Sequence, residues 1–449
     1  MPHSSDNLTE GGIVSKLLLV AGPIIANQIV QMVYNMTDMF WLGRVGSNAV
    51  AAAGSAGMFM WLSWGFISIS QMGSQIGVSQ SLGRGDKKAA LNYFQNALSL
   101  ALGIGLLYGA LAFIFNKQLI GFFHYKEADV ARNASIYLSI VAVMMPFSFL
   151  LNVFSGSFQG SGNSRLPFLV NLSGVITNVV LDPVFILLLN MGVAGAAIAT
   201  AIGQAVSVIV LCISIFGRHI KPFEGFRIHL RFEKKYIVQI LKWALPIGAQ
   251  NLFFCFLSML TSRMEVQFGA VAVAAGKVGS QVESLTWMIG GGYGSALVAF
   301  IGQNFGAKKW PRIRRGIKLS MLIMFSWTAL ITIFLFTGGG WAVSLFLKEN
   351  DAIALGTLYV HIVAFCQIAG GFESVCAGAF NGTGRTMPPA IVVIVCNSLR
   401  VVLAWFLSRT SLGIAGVWIS ICVGAFVRGA WLVIWYLVFQ KKLPKGEEG

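Results

Sequence analysis

Apolar runs of roughly 20 to 28 residues follow one another along the whole chain, separated by short loops that hold most of the lysines and arginines. A run of that length spans a bilayer as a helix, because a helix satisfies its own backbone donors and acceptors where no water can. About twelve runs can be counted, starting near Val14, Val50, Ala90, Ser135, Leu166, Val193, Tyr236, Val271, Ile317, Ala354, Pro389 and Leu412. Strand-type alternation is absent, which argues against a barrel. With 56% of its 449 residues hydrophobic and only 11% charged, the chain has too little polar surface for a soluble globule. It reads as an all-α polytopic membrane protein.

A formal net charge of +16 raises the question of nucleic acid. The position of the basic residues answers it. Loops on one side collect about twenty, among them Arg84, Lys87, Lys88, Arg165, Arg231, Lys234, Lys308, Lys309, Arg312 and Arg385, against seven on the other: Arg44, Lys117, Lys126, Arg132, Arg263, Lys348 and Arg409. By the positive-inside rule this asymmetry places both termini in the cytoplasm, with an even number of spans, in the cell inner membrane. The basicity is topological, and no nucleic-acid partner is needed to explain it. The first apolar run is too long for a signal segment and reads as a retained helix. The six cysteines lie inside apolar runs without CxxC spacing and read as small buried hydrophobes. His3, His124, His219, His229 and His361 do not cluster, and neither HExxH nor GxSxG occurs, so an enzyme is not expected.

The chain also repeats itself. "AGPI" (Ala21 to Ile24) meets "ALPI" (Ala244 to Ile247), and "GSNAVAAAG" meets "GAVAVAAGK", at an offset of about 223 residues. The same offset aligns "QSLGRGDKK" with "QNFGAKKWP". After a one-residue slip, "FQGSGNSRLP" (Phe158 to Pro167) matches "FNGTGRTMPP" (Phe380 to Pro389). Two six-helix bundles follow: an N-lobe over 1–217, a basic linker over 218–235 and a C-lobe over 236–449. Six spans per half make the repeat parallel, with a cleft expected between lobes that rock in alternating access.

Charges inside spans cost roughly 2.5 kcal/mol or more each near the bilayer centre, so each asks for a reason. Asp38 and Asp182 are the N-lobe cases; Lys277, Glu283, Glu373, Arg400 and Arg428 are those of the C-lobe. The repeat sets Asp38 opposite Thr261 and Asp182 opposite the apolar stretch near Leu403, so the shared scaffold requires neither carboxylate. Counting from the outer span ends puts Asp38, Asp182 and Thr200 at one depth, roughly 9 to 15 Å down. Asn178 lies a turn below Asp182, and Tyr34 a turn below Asp38. Two carboxylates in a low dielectric cannot both stay ionised without a cation, so the set reads as a site for H+ or Na+, with the oxygens of Asp38, Asn178, Asp182 and Thr200 suited to the metal ion. Two structural alternatives stay open: Asp182 as an N-cap before Pro183, and Asp38 paired with Arg44. Pro23 and Pro246 stand at equivalent places in spans 1 and 7, as packing kinks or, for Pro23, as the hinge that moves Asp38. In the C-lobe, Lys277, Glu283 and Glu373 either pair internally or meet a cationic substrate, for which Glu283 and Glu373 are the candidates.

At these residues the chain resembles the multidrug and toxic compound extrusion (MATE) family. The "QSLGRGDKKAA" and "QNFGAKKWPRI" loops and the paired "FQGSGNSRLP" and "FNGTGRTMPP" segments carry the likeness. "YNMTD" (Tyr34 to Asp38), "NVVLD" (Asn178 to Asp182) and Thr200 resemble its DinF-like branch. The NorM-like branch instead has an essential glutamate in span 7, where this chain reads "QNLFFCF" (Gln250 to Phe256), so a C-lobe cation site does not carry over. The resemblance implies twelve transmembrane helices in two pseudo-symmetric bundles, V-shaped around a central cleft. It implies a cation site at Asp38, Asn178, Asp182 and Thr200, with Tyr34 and Asn152 at the substrate cavity. A monomeric, lipid-embedded antiporter that exports organic, mostly cationic drugs against H+ or Na+, with no cofactor, is the expected function. The alternative is a flippase for lipid-linked oligosaccharides or polysaccharides, which needs a strongly cationic cavity. A channel is disfavoured by two unlike lobes.

Overall fold

The computed structural model describes residues 7–125, 127–218, 230–441 and 444, and they form helices only. In order these are α1 (Ile13–Val45), α2 (Ser47–Gly83), α3 (Lys87–Ile114), the short α4 (Asn116–Gly121), α5 (Ala128–Ser161), α6 (Arg165–Pro183) and α7 (Gly192–Arg218). They are followed by α8 (Lys234–Val266), α9 (Ala270–Gly306), α10 (Trp310–Ser344), α11 (Asn350–Ala364), α12 (Gln367–Gly382), α13 (Met387–Leu407) and α14 (Ile414–Lys441). Among the described residues eleven helices are long and apolar enough to cross a membrane. The pair α11 and α12, bent by 49° at their break, makes the twelfth span. Most of the 218–235 linker lies outside the described residues.

The repeated loop motifs are helix stops and starts. In "QSLGRGDKK", Asp86 caps α3 by accepting the Ala89 N–H at 2.8 Å, which satisfies one of the four free donors of a helix start. In "FQGSG" and "FNGTG", Gly162 and Gly384 take φ of +95° and +76°, a left-handed conformation that ends α5 and α12 and that other residues adopt only at a cost.

Packing divides the described chain into two compact units, and the division does not follow the linker. The first holds Gly22–Gly248; the second holds Leu8–Ala21 and Ala249–Gly449. Each boundary thus falls within α1 or α8, beside Pro23 or Pro246. The sequence sets the division within 218–235, at a composition change; the packing of the backbone sets it one proline-marked helix segment away.

In the first unit, Leu42, Ala52, Ala53, Leu138, Ile186 and Ala196 belong to one apolar cluster, and Phe94, Phe149, Phe158 and Ile240 to another. Helices here approach closely at small residues: a Cβ on Gly73 would come within 2.5 Å of the Ile240 side chain. The chain entering α8 is pinned to α3. Arg231 Nη1 donates to Asn92 Oδ1 at 3.0 Å, the Glu233 N–H donates to Asn96 Oδ1 at 2.7 Å, and Tyr236 packs edge-on against Tyr93. The second unit packs Val343, Tyr359, Val360, Val417 and Trp418 in its core.

The second unit pins the chain entering α1 in the same manner. Leu8 is fully buried. Its N–H donates to Gln303 Oε1 at 2.9 Å, and its carbonyl accepts from Asn304 Nδ2 at 3.2 Å. Arg312 spreads its guanidinium over the carbonyls of Leu8, Glu10 and Gly11, at 2.8 to 3.3 Å. One arginine therefore satisfies three backbone acceptors that have no helix to serve them. Arg312→Ala is expected to raise amide hydrogen exchange over Thr9–Gly12 by about tenfold or more while leaving Arg231–Tyr236 unchanged, as read by exchange mass spectrometry.

Candidate cation site

Asp38, on α1, is 6% exposed, and Asp182, near the end of α6, is fully buried. Leu42, one turn beyond Asp38 and fully buried in the apolar cluster, fixes that end of α1 within the first unit. Asn178 on α6 and Thr200 on α7 complete the set, both buried. Tyr34 OH and Thr200 Oγ1 share a hydrogen bond of 3.0 Å, and Asn178 Nδ2 approaches Thr200 Oγ1 at 3.4 Å. The two carboxyls lie within electrostatic range of each other and of Tyr34. The residues that depth alone had grouped are thus joined, from three helices, in one cluster.

The oxygens are the informative part. Asp38 Oδ1, Asn178 Oδ1 and both carboxylate oxygens of Asp182 are buried without a hydrogen-bond partner. Among the described residues no basic side chain forms an ion pair with either aspartate. An unpartnered buried acceptor costs about 1–3 kcal/mol, and more when charged. Four such oxygens in one cluster are chemically a receptor for positive charge, either a proton shared by the carboxyls or a hard cation taking oxygen ligands.

Both structural alternatives can be judged from position. Asp182 lies inside α6 rather than ahead of a helix, so it caps nothing. Pro183 removes a backbone donor, and the helix widens beyond it into a π-type turn over Val184–Leu188. Arg44 stacks on Phe40 and Trp41, at 4.9 and 5.3 Å from the ring centroids, instead of pairing with Asp38.

Tyr137 on α5 belongs to the cluster and escaped the sequence analysis. It is buried and in electrostatic range of Asp38, Asp182 and Tyr34. The sequence places the start of span 4 near Ser135, two residues before Tyr137, whereas α5 begins at Ala128 and sets Tyr137 nine residues in. Asn152 stands apart from the carboxylates. Its Nδ2 donates to the Ser148 carbonyl, and it lines a cavity of about 80 Å³ together with Asn27, Ser155, Asn171 and Ser207.

The C-lobe candidates belong to the second unit, where the chemistry differs. Glu283 accepts from Tyr359 OH and Trp287 Nε1, both at 2.9 Å, and from Gln367 Nε2 at 3.5 Å. Glu373 is paired with Arg428, Nε to Oε2 at 3.0 Å, and Arg428 Nη1 also donates to Asn397 Oδ1 at 2.6 Å. Lys277 is exposed. Among the described residues, Glu283, Glu265 and Glu373 of this unit each accept from a side-chain donor, whereas Asp38 Oδ1 and the Asp182 oxygens have none within hydrogen-bond distance. Removing Arg428 alone (Arg428→Ala) strands a buried charge and is expected to cost about 3–5 kcal/mol, whereas the double variant Glu373→Gln/Arg428→Gln costs far less, as thermal unfolding in detergent would show.

Comparison with known proteins agrees with this organisation. The MatE family profile matches twice, over residues 23–184 and 246–406, so each copy begins at one of the two helix prolines. "Probable multidrug resistance protein NorM" of Thermotoga maritima is 27% identical over 436 residues, covering 95% of this chain and 92% of the relative. "Probable multidrug resistance protein YoeA" of Bacillus subtilis is 24% identical, covering 94% and 92%. A solved structure of a MOP superfamily transporter from Pyrococcus furiosus superposes with a TM-score of 0.90 over 99% of both chains at 20% identity, which shows the shared fold.

Proposed function

The chain belongs to the MatE family of membrane transporters, and from that premise we propose that it is an antiporter that exports organic, mostly cationic compounds in exchange for inward-moving H+ or Na+. Members of this family are transporters, not enzymes. Export of varied drugs is supported by the names of its relatives in Thermotoga maritima and Bacillus subtilis. Coupling to a cation rests on one observation, the four buried, unpartnered oxygens of Asp38, Asn178 and Asp182. The protein acts as a lipid-embedded monomer in the cell inner membrane, with both termini in the cytoplasm, as the loop charges favour.

In the outward-open state a cation binds between Asp38 and Asp182 and removes their repulsion. Asn178 and Thr200 turn oxygens toward it, and Tyr34 holds Thr200 in place. The first helix bends at Pro23, the cavity beside it contracts, and the drug leaves. Release of the cation to the cytoplasm restores two unpaired carboxyls and resets the cycle. Tyr34 and Asn152 are the substrate contacts in the N-lobe cavity. Glu283, whose donors are all neutral, is the candidate counter-charge for a cationic drug in the C-lobe, and Glu373 would have to leave Arg428 to serve. Oxygen-only donors on Asp38 and Asp182 favour the DinF-like arrangement.

Asp38→Asn keeps the shape and hydrogen-bonding capacity of the side chain but holds it permanently neutral. It is expected to abolish ethidium efflux from proteoliposomes under imposed proton and sodium gradients without loss of protein from the membrane, and Asp182→Asn is expected to do the same. Normal gradient-driven efflux by Asp38→Asn would sink the proposal.

A further inference from the structure

Polar residues recur at one spacing on three helices of the first unit. Seven residues separate Asn27 from Tyr34 on α1, Asn171 from Asn178 on α6, and Thr200 from Ser207 on α7. Seven residues are close to two turns, a rise of about 10.5 Å, so each pair lies on one helix face. The α6 and α7 contacts run antiparallel, with Asn178 beside Thr200 and the Val170 carbonyl accepting from Ser207 Oγ at 3.2 Å. Asn27, Asn171 and Ser207 therefore fall on the same side of the carboxylate cluster, toward the helix end that begins at Arg165.

These residues form a second layer. Asn171 Nδ2 donates to Asn27 Oδ1 at 2.7 Å, and both asparagines line the 80 Å³ cavity with Ser207. Between the layers the backbones of α6 and α7 touch. A Cβ on Gly174 would stand 2.5 Å from the Gly203 carbonyl oxygen, and one on Gly203 2.7 Å from that of Gly174. That contact closes the α6–α7 side, and the layers connect along α1, where Asn27, Gln31, Tyr34 and Asp38 follow at spacings of four, three and four on one face.

An interhelical hydrogen bond accounts for Asn27 and Asn171 as packing residues. It does not account for the space beside them, nor for Asn178 Oδ1, buried and unpartnered in the layer above. The cavity has room for a few water molecules and is lined by five neutral amides and hydroxyls on one part and six apolar residues on the other, so its polar groups carry no charge. Such groups replace part of a cation's hydration without the charge that would trap it, as suits passage rather than storage.

We propose that this lower layer is a hydrated relay through which the coupling cation passes between the Asp38–Asp182 site and the Arg165 end of the unit. The proposal rests on the cation-coupled function above. In it, Asn27, Asn171 and Ser207 hold the water that carries H+, or that re-hydrates Na+, below Tyr34 and Thr200.

The test is the pair Asn27→Leu/Asn171→Leu, which fills the cavity with apolar carbon, in the full chain in proteoliposomes under separate proton and sodium gradients. Expected is a fall in the kcat of ethidium efflux of about tenfold or more, with the ethidium KM within about twofold of the unchanged protein. Cation-dependent tryptophan fluorescence at equilibrium should keep its midpoint. The smaller polar pair Asn27→Ser/Asn171→Ser should recover most of the rate. Full-rate efflux by the leucine pair overturns the relay, and so does a raised KM, which marks a drug subsite, or a shifted equilibrium midpoint, which marks damage to the carboxylate site. Ser207→Ala, which only deletes a hydroxyl, carries the same readouts if the leucine pair does not reach the membrane, with a slowing of about threefold expected and an unchanged rate overturning the relay. Indifference of the unchanged protein to both gradients refutes the coupled function itself, an outcome distinct from failure of the relay.

Discussion

In the hydrocarbon interior no water is at hand, so every buried polar atom must find its partner in the protein or take one from outside. The two copies of the repeat meet that constraint in opposite ways. At the offset of the matched segments, Asp38, Asn178 and Asp182 correspond to Thr261, Arg400 and Ala404. Arg400 is buried and donates from Nη2 to Thr261 Oγ1 at 3.4 Å. One copy thus carries its positive charge covalently, where the other presents acceptors that no group among the described residues satisfies. A scaffold used twice has been loaded with opposite signs at corresponding positions.

Much of this was legible before any coordinates. Spans announce themselves by length and hydropathy, since the bilayer tolerates no other backbone arrangement. The repeat announces itself through cap chemistry, because Asp86, Gly162 and Gly384 stand where helices must stop and start. Asp38, Asn178, Asp182 and Thr200 could be grouped because helical rise converts residue count into depth. Depth, however, does not report which neighbour a side chain faces. For that reason the sequence groups Glu373 with Lys277 and Glu283, whereas its partner is Arg428 and Lys277 is exposed, and Arg44 seemed available to Asp38 until its stacking on Phe40 and Trp41 was seen. Tyr137 was missed because an aromatic in an apolar span carries no signal of its own. The bend between α11 and α12 also left no mark, since its break at Phe365 and Cys366 involves neither proline nor glycine.

The largest departure concerns where each unit begins. Composition changes at the linker, but packing changes inside α1 and α8, at helix positions that look uniform in hydropathy. Only the prolines mark them. Pro23 and Pro246 open the two matched segments of the family and also flank the two boundaries of contact. A residue without a backbone donor weakens the helix at the place where its two parts pack in different bodies. Asp38 lies on the part of α1 that belongs to the first unit, beyond Pro23.

The leading stretches of α1 and α8 have a consequence beyond motion. Residues 8–21 complete the core of the second unit, and residues up to Gly248 complete that of the first. Neither half of the chain, taken by the linear order of its residues, contains all of one body. This is the pattern left when a segment is exchanged between identical partners and the partners are later joined end to end. It fits descent from an intertwined homodimer whose gene duplicated and fused. Once fused, the two copies could diverge in charge without ever drifting apart as separate proteins.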